Sequence, residues 1–345
     1  MNMALLILLL AVVYAVGSVF YVYRMRGQHR YASLSQYLRK SWPVFAPFNC
    51  LLYMATRREA RHPVLEPHYL EGIHRLRRNW RRIRDEALAL HAAGSIEAAS
   101  APGTAGHHDV GFRTFHKRGW RRFYLSWYGE PHRSAQRLCP GTVRLLEGIP
   151  GVRAAMFSVL PPGAELSLHS DPLACSLRYH LGLDTPESDD CFIQVDGHPV
   201  SWRNGQDFVF DETYPHFVRN DTDAVRIILM CDVERPMHLP GRVFNRLYAG
   251  LARGMTVPNT PEDWQGPVSW LFARVAPLRE RGLRLKRSHR RLYDLLKLSL
   301  NIGLLLLCLG GVWAVLEFAS QAFALMQHHA SGITFPIFFL GRSWQ

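Results

Sequence analysis

Three side chains that commonly bind metal ions stand out in the middle of the chain. His169 and Asp171 lie two positions apart in LSLHSDPLACSLRYHLGL, and FDETYPHFVRN supplies His216 much later. In an extended strand, residues two apart project to the same face, so His169 and Asp171 could contact one ion. Two imidazoles and one carboxylate leave coordination positions open, which is typical of Fe(II) sites that bind a cosubstrate and O₂. An H-x-D pair is common by chance, and the later histidine is what favours a metal site.

A single arginine interrupts an apolar run after this histidine. Arg226 lies within AVRIILMCDV, where its neighbours are aliphatic or β-branched. A buried charge needs a partner. A carboxylate of a bound small molecule is one candidate, because the guanidinium fork matches a carboxylate. An internal ion pair with Asp232 or Glu212 is the other, and the sequence leaves both open.

The elements that would position these residues are short strands. Between about residues 153 and 233, apolar runs such as RAAMFSVL, CFIQVDG and DFVFD are separated by the turn-like segments PPG, TPESDD, RNG and RNDTD. This spacing predicts a sandwich, jelly roll or barrel rather than a parallel sheet. Upstream, residues 67–93 have helical spacing of apolar residues and an Arg-rich face, which predicts an amphipathic helix packed on the domain.

Both ends of the chain contain long uncharged segments. Residues 3–23 and 298–316 carry no charge, and each is about as long as the roughly 20 residues that cross a bilayer. A cleaved signal peptide is disfavoured for the first, because no Lys or Arg precedes Arg24. Residues 41–54 are aromatic but too short to span, and an interfacial segment and a buried loop both fit them.

The charge distribution points to a membrane surface. The formal net charge is +13, and many basic residues follow the first apolar segment or precede the second. The positive-inside rule then places the intervening residues in the cytoplasm and both termini on the other side. An anionic membrane surface accounts for this charge without nucleic acid. The six cysteines form no C-x-x-C pair, which disfavours a disulfide framework and fits a reducing compartment.

Residues 156–236 resemble the aspartyl/asparaginyl β-hydroxylase family of Fe(II)/2-oxoglutarate dioxygenases. The phrases that carry the resemblance are HSDP, SLRYHLGL, W-x-x-G before FDETYPH, and VRIILMCDVERP. It implies a double-stranded β-helix that binds Fe(II) and 2-oxoglutarate. The implied iron ligands are His169, Asp171 and His216. The implied 2-oxoglutarate contacts are Arg226, Arg178, Ser158 and His180. One branch of the family has no acidic residue at the position of Asp171, which is present here.

Two spans around such a domain resemble the bacterial lipid A 2-hydroxylases. The resemblance implies 2-hydroxylation of a secondary acyl chain of lipid A, a lipopolysaccharide modification, at the bacterial inner membrane with the catalytic domain in the cytoplasm. Three alternatives stay open. The same chemistry could act on another membrane lipid, such as an aminolipid, or on an Asp or Asn side chain of a protein. A membrane-anchored binding protein with a degenerate, iron-free jelly roll is the non-enzymatic alternative.

The predicted fold is a mainly β catalytic domain, a double-stranded β-helix or jelly roll, with flanking helices and two terminal transmembrane helices. The predicted order is a transmembrane helix (3–23), a juxtamembrane, interfacial and helical region (24–110), the dioxygenase domain (111–236), a helical or irregular cytoplasmic region (237–291) and a second transmembrane helix (298–316). Trp120 and Trp202 are expected in the core or at an interface.

Overall fold

The computed structural model describes residues 3–104, 106–112 and 119–296, together with residues 299 and 303. The chain divides into two compact units, Met1–Arg274 and Val275–Gln345. In the second unit the described residues are helical up to Ser288 and again over 290–296. The predicted second transmembrane helix, residues 298–316, lies outside the described residues except for 299 and 303. All the described strands and the candidate site belong to the first unit.

The described strands form two antiparallel sheets. They are β1 (Val64–Leu65), β2 (Arg121–Trp127), β3 (Glu130–Pro131), β4 (Val152–Leu160), β5 (Glu165–His169), β6 (Ser176–Asp184), β7 (Cys191–Val195), β8 (His198–Ser201), β9 (Asp207–Phe210), β10 (His216–Asn220) and β11 (Arg226–Glu234). The larger sheet has the order β1-β9-β6-β11-β4-β2-β3 and the smaller has the order β5-β10-β7-β8. From β4 to β11 the chain crosses repeatedly between the two sheets. This strand order is that of a jelly roll, or double-stranded β-helix.

The larger sheet is buried on both faces. On β6, Leu177 and Tyr179 belong to a core cluster that includes the helical residues Leu76 and Ile83. The side chain of His180 lies on the opposite face, against aromatic residues of the core between the two sheets. Successive side chains of a strand alternate in this way. Alternate residues of β4, β6 and β11 therefore face the interior of the roll, where a site can be enclosed.

Ten α-helices, besides the helical residues 290–296, lie within the described residues. They are α1 (Met3–Phe20), α2 (Leu34–Lys40), α3 (Ala46–Ala55), α4 (His74–Arg78), α5 (Trp80–Ala92), α6 (Ser95–Ala98), α7 (Arg133–Leu138), α8 (Pro140–Glu147), α9 (Leu239–Arg253) and α10 (Pro267–Ser288). The helix predicted over 67–93 is interrupted: a short 3₁₀ turn precedes α4, and Asn79 separates α4 from α5. The protein is thus mainly β with flanking helices.

The N-terminal helix is the only described segment long and apolar enough to cross a membrane. This segment is Leu6–Met25, which comprises most of α1 and the π-helical turn Tyr21–Met25, and it is 6% buried within the structure. Its length and composition fit a membrane span.

Residues 41–54 form a 3₁₀ turn followed by most of α3, with two different faces. Asn49 and Leu52 are buried, whereas Phe48 and Leu51 are exposed. The helix α3 packs against both α1 and α9, and the ring of Phe48 lies near that of Phe244 on α9. A row of exposed leucines continues this apolar surface on α9.

Candidate active site

Two histidines meet at one end of the smaller sheet. His169 ends β5, His216 begins β10, and the two are direct partners across the antiparallel pair. Their ring centroids are 4.2 Å apart. Asp171 follows in the turn after β5, where its backbone N–H donates to the carbonyl of Glu212 at 2.8 Å. Potential ligand atoms of His169, Asp171 and His216 all lie within 4.8 Å of one another. The structure therefore brings the three predicted ligands together.

The backbone fixes which ring nitrogen each histidine presents. Nδ1 of His169 lies 3.0 Å from the carbonyl oxygen of Ser167, and Nδ1 of His216 lies 2.9 Å from that of Tyr214. A carbonyl only accepts, so both Nδ1 atoms carry the proton and both Nε2 atoms offer a lone pair. Burial lowers the pKa of His169 and lowers the pKa of His216 to about 3. Both rings are therefore neutral near pH 7, as metal coordination requires.

The carboxylate of Asp171 is held by an arginine. Nη1 of Arg178 donates to its Oδ2 at 2.7 Å, while its Oδ1 lies 3.7 Å from Nε2 of His169. Burial alone would raise the pKa of Asp171, but Arg178 and the two histidines keep this pKa below its ordinary value. Two neutral imidazoles and one ionised carboxylate thus converge, and this donor set fits Fe(II) with open positions.

Arg226 is a buried cation without an ionic partner in the part of the chain that the structure describes. It is 1% exposed, and Nη2 donates to Oγ of Ser158 at 3.1 Å. Among the described residues it forms no ion pair, and its Nε has no hydrogen-bond partner. The two carboxylates considered as partners are bound elsewhere, Asp232 by Arg178 and Glu212 by Ser176. Burial lowers the pKa of Arg226 to about 10, because desolvation disfavours the charged form. A bound carboxylate would offset this desolvation cost.

An aromatic side chain connects Arg226 to the next predicted contact. The guanidinium of Arg226 lies 4.4 Å from the ring of Trp202, and Nε1 of Trp202 donates to Nδ1 of His180 at 3.3 Å. His180 is buried, and its Nε2 has no partner in the described part of the chain. Burial and the nearby Arg226 lower the pKa of His180 well below its ordinary value. A neutral ring that accepts at Nδ1 carries its proton on Nε2. Nε2 of His180 is therefore a second buried donor without a partner among the described residues, besides Nε of Arg226.

Several contacts of the site were missed from sequence. Trp202 and Trp120 both border Arg226, although aromatic residues alone carry no signal for this role. The N-terminal region also contacts residues next to the predicted ligands: the hydroxyls of Tyr31 and Ser170 share a hydrogen bond of 2.7 Å, and Nζ of Lys40 donates to Oγ of Ser167 at 2.9 Å. In the run FVFDETYPHF, the only sign that Asp211 and Glu212 are buried is that these acidic residues lie among apolar ones.

Comparisons with known proteins relate this domain to a known family. Residues 77–236 match the family model described as Aspartyl/Asparaginyl beta-hydroxylase. These residues, a little under half of the chain, are similar to the aspartyl/asparaginyl β-hydroxylase family. The predicted resemblance is thereby confirmed, and the matched residues include every predicted ligand and cosubstrate contact.

Individual relatives cover only part of the chain. The ornithine lipid ester-linked acyl 2-hydroxylase of Rhizobium tropici is 37% identical over 134 residues, which are 39% of this chain and 48% of that protein. The human aspartyl/asparaginyl beta-hydroxylase is 33% identical over 180 residues, or 51% of this chain and 22% of that protein. The chain thus spans less than half the length of either relative. A solved Pseudomonas putida prolyl-4-hydroxylase has 21% identity and a TM-score of 0.33 over 53% of this chain and 98% of its own.

Proposed function

We propose that this protein is a membrane-anchored hydroxylase that uses Fe(II), 2-oxoglutarate and O₂ to hydroxylate an acyl chain of a membrane lipid. One observation carries the proposal. Phe210, His180 and Trp202 form a continuous set of contacts from His216 of the metal cluster to Arg226, a buried guanidinium that lacks a carboxylate among the described residues. A cosubstrate with a carboxylate at each end fits a metal cluster at one end and an unpaired arginine at the other.

The metal ligands would be set by their surroundings. The two Nδ1–H donors engage backbone carbonyls, so the Nε2 atoms of His169 and His216 are oriented before any ion arrives. Arg178 occupies one oxygen of Asp171 and leaves the other for the ion. When bound, Fe(II) and 2-oxoglutarate would supply the oxidising chemistry, in which O₂ gives one oxygen atom to a C–H bond and the other to succinate, with release of CO₂.

The remaining predicted contacts would bind and orient the cosubstrate. Arg226 and Ser158 are assigned to its far carboxylate, since both are buried and already joined by a hydrogen bond. His180 supplies a neutral N–H donor nearer the metal cluster, and Trp202 covers the guanidinium of Arg226. Because these groups are buried, they exclude water and strengthen each charge-assisted hydrogen bond. The contact between Arg178 and 2-oxoglutarate remains a prediction, since its Nη1 and Nε already donate to Asp171 and Asp232.

The membrane and the lipid substrate are supported by two observations. The segment Leu6–Met25 could span a bilayer, and one relative is named as an acyl 2-hydroxylase of an ornithine lipid. We assign the reaction to the 2-position of a secondary acyl chain of lipid A, at the cytoplasmic face of the bacterial inner membrane. The similarity to an ornithine lipid hydroxylase makes an aminolipid the second candidate. The similarity to the human aspartyl/asparaginyl beta-hydroxylase keeps a protein side chain as the third.

Mass spectrometry of lipids tests the proposal. Cells expressing the wild type, His216→Ala or the control His198→Ala, an exposed histidine of the smaller sheet, would be compared. We expect one added oxygen atom on an acyl chain in the wild type and the control, and none in His216→Ala. Oxygen on an aminolipid instead of lipid A would favour the second candidate. Succinate production without a modified lipid would point to a protein substrate, and absence of Fe(II) binding by the purified protein would overturn the hydroxylase.

A further inference from the structure

A cavity of about 520 Å³ lies between α1, α3 and the turn that precedes β10. Tyr14 and Gly17 line it from the apolar N-terminal helix, Tyr53 lines it from α3, and Asp211 and Tyr214 line it from the turn. None of the predicted metal or cosubstrate residues borders it. It is therefore a space separate from the candidate active site.

The cavity carries an excess of positive charge. Three arginines line it, Arg26, Arg61 and Arg235, against the single carboxylate of Asp211. Arg26 and Arg235 each donate to Oδ2 of Asp211 at 2.7 Å. One carboxylate cannot neutralise three guanidinium groups, so two positive charges are left over. The excess favours an anion in the cavity.

Two of these arginines are fixed rather than free to move into solvent. The guanidinium of Arg26 lies 3.9 Å from the ring centroid of Tyr53 and 3.5 Å from that of Tyr214. Arg235 is 1% exposed, and its Nε has no hydrogen-bond partner among the described residues. An unused buried donor beside excess positive charge is costly unless a ligand accepts from it.

The position of the cavity along the chain indicates the kind of anion. Arg26 directly follows the segment Leu6–Met25, whereas Gly17 and Tyr14 lie within that segment. With the helix in a bilayer, the apolar part of the cavity would lie at the depth of acyl chains and the arginines at the depth of head groups. This arrangement matches an amphiphile with a negatively charged head.

We propose that this cavity binds the anionic head group, a phosphate or a carboxylate, of the lipid whose acyl chain is hydroxylated. The inference rests on the proposed function for the identity of its occupant. The turn between β9 and β10 connects the two sites: the carbonyl of Glu212 accepts from the N–H of Asp171, and that of Tyr214 accepts from Nδ1 of His216. Head-group binding and the positioning of two predicted metal ligands therefore share one turn.

A cavity-filling substitution tests the inference. A Cβ atom built on Gly17 meets nothing within 4 Å, so Gly17→Leu would occupy the cavity without displacing its walls. The matched control is Val16→Phe, because Val16, at the preceding position, is exposed and does not line the cavity. For the charge, Arg61→Gln is paired with Arg58→Gln, another exposed arginine that does not line the cavity.

Binding would be measured by calorimetry on the full-length protein in a non-ionic detergent, with dodecyl phosphate as the probe. We expect Gly17→Leu and Arg61→Gln to bind it about tenfold more weakly or worse, and both controls to bind like the wild type. Inorganic phosphate should bind far more weakly, because it lacks the alkyl chain. Equal affinity for phosphate and dodecyl phosphate would identify a free-anion site and overturn the lipid assignment.

Lipid turnover separates this inference from the proposed function. We expect Gly17→Leu to raise KM for the lipid while Fe(II) affinity stays unchanged. A wild-type KM in Gly17→Leu would overturn the inference and leave the hydroxylase standing. If the wild type binds dodecyl phosphate but hydroxylates no lipid, the proposed function fails, and with it the claim that the occupant is the substrate.

Discussion

Arg178 donates from Nε to Oδ1 of Asp232 at 3.0 Å, across the register that pairs β6 with β11. The same guanidinium donates from Nη1 to Asp171. A predicted metal ligand is thereby linked, through Arg178, to a carboxylate on β11. Groups that orient a ligand in this way commonly change metal affinity when they are removed.

The first prediction concerns Asp232→Asn. Without the charge of Asp232, Arg178 is less firmly oriented, and we expect Fe(II) affinity to fall about 10-fold to 100-fold. Anaerobic titration calorimetry would measure it. Asp184→Asn is the control, since Asp184 also lies on the larger sheet but pairs with Arg84 at a half-exposed position. Equal affinities for all three proteins would show that Arg178 does not act on the metal through Asp171.

The second prediction separates stability from binding at Arg226. Among the described residues this buried cation has no ionic partner. Replacing it by an apolar side chain removes a desolvation cost, so Arg226→Met should not lower the free energy of unfolding of the metal-free protein. It should nevertheless weaken 2-oxoglutarate binding about 30-fold or more, because a buried charge pair is lost. Chemical denaturation and 2-oxoglutarate titration measure the two effects.

A control for Arg226→Met is Arg219→Met, at a half-exposed position on β10. This substitution should change neither the free energy of unfolding nor the affinity for 2-oxoglutarate appreciably. A loss of several kcal/mol of stability in Arg226→Met would mean that Arg226 has an ionic partner before the cosubstrate binds.

The third prediction concerns the carboxylate shared by Arg26 and Arg235. Burial would raise the pKa of Asp211, but Arg235 and Arg26 hold this pKa well below its usual range. Asp211→Asn would leave two buried guanidinium groups without their counter-charge, at a cost of about 3–5 kcal/mol in unfolding free energy. Asp221→Asn, at an exposed position, should cost less than about 1 kcal/mol. Denaturant titration in detergent compares them, and similar losses would contradict the assignment.

The fourth prediction is a pH dependence of stability. Burial lowers the pKa of His132, whose ring stacks on that of Tyr124 and is hydrogen-bonded to the carbonyl of Val257. In the unfolded chain a histidine titrates near pH 6.5, so below that pH the unfolded state takes up a proton that the folded state refuses. Stability should therefore fall as the pH drops from about 7 to 5, by up to about 1.4 kcal/mol per pH unit for this residue.

His132→Gln isolates this contribution from the histidines of the metal cluster. The variant should show a shallower loss of unfolding free energy between pH 7 and 5 than the wild type, with both proteins metal-free. Parallel curves would mean that His132 is protonated in the folded state.

Local patterns in the sequence pointed to the residues that the structure brings together in the candidate site, but not to their partners. The alternation in SLRYHLGL already separates Arg178 and His180 from the apolar residues between them, since a strand presents alternate residues to alternate faces. The pairing of Arg178 with Asp232 depends on which residues β6 and β11 place opposite each other, and no local pattern fixes that register. Whether Arg226 forms an ion pair with a carboxylate of this chain likewise depends on which residues the neighbouring strands place beside it, and the local sequence does not specify that.

The long-range contacts of the N-terminal region were the feature that the sequence predicted least. The sequence predicted an apolar helix and a short apolar segment after it, but not that Tyr31 and Lys40 would contact the residues next to the predicted ligands. The contacting residues are far apart in the chain and have no periodic relation. Their proximity follows from the packing of α2 and α3 on the roll, which only the tertiary structure specifies.

A metal ion bound between His169 and His216 would also affect the abundance of this protein in the cell. An ion held by both rings would tie together two residues about 50 positions apart, much as a disulfide closes a loop. It would bind only the folded chain, and at 100 times its dissociation constant it would add about 2.7 kcal/mol of stability. Shifts of this size change the abundance of a marginally stable protein several-fold. Under the proposed function, iron starvation would therefore reduce the quantity of the protein as well as its activity.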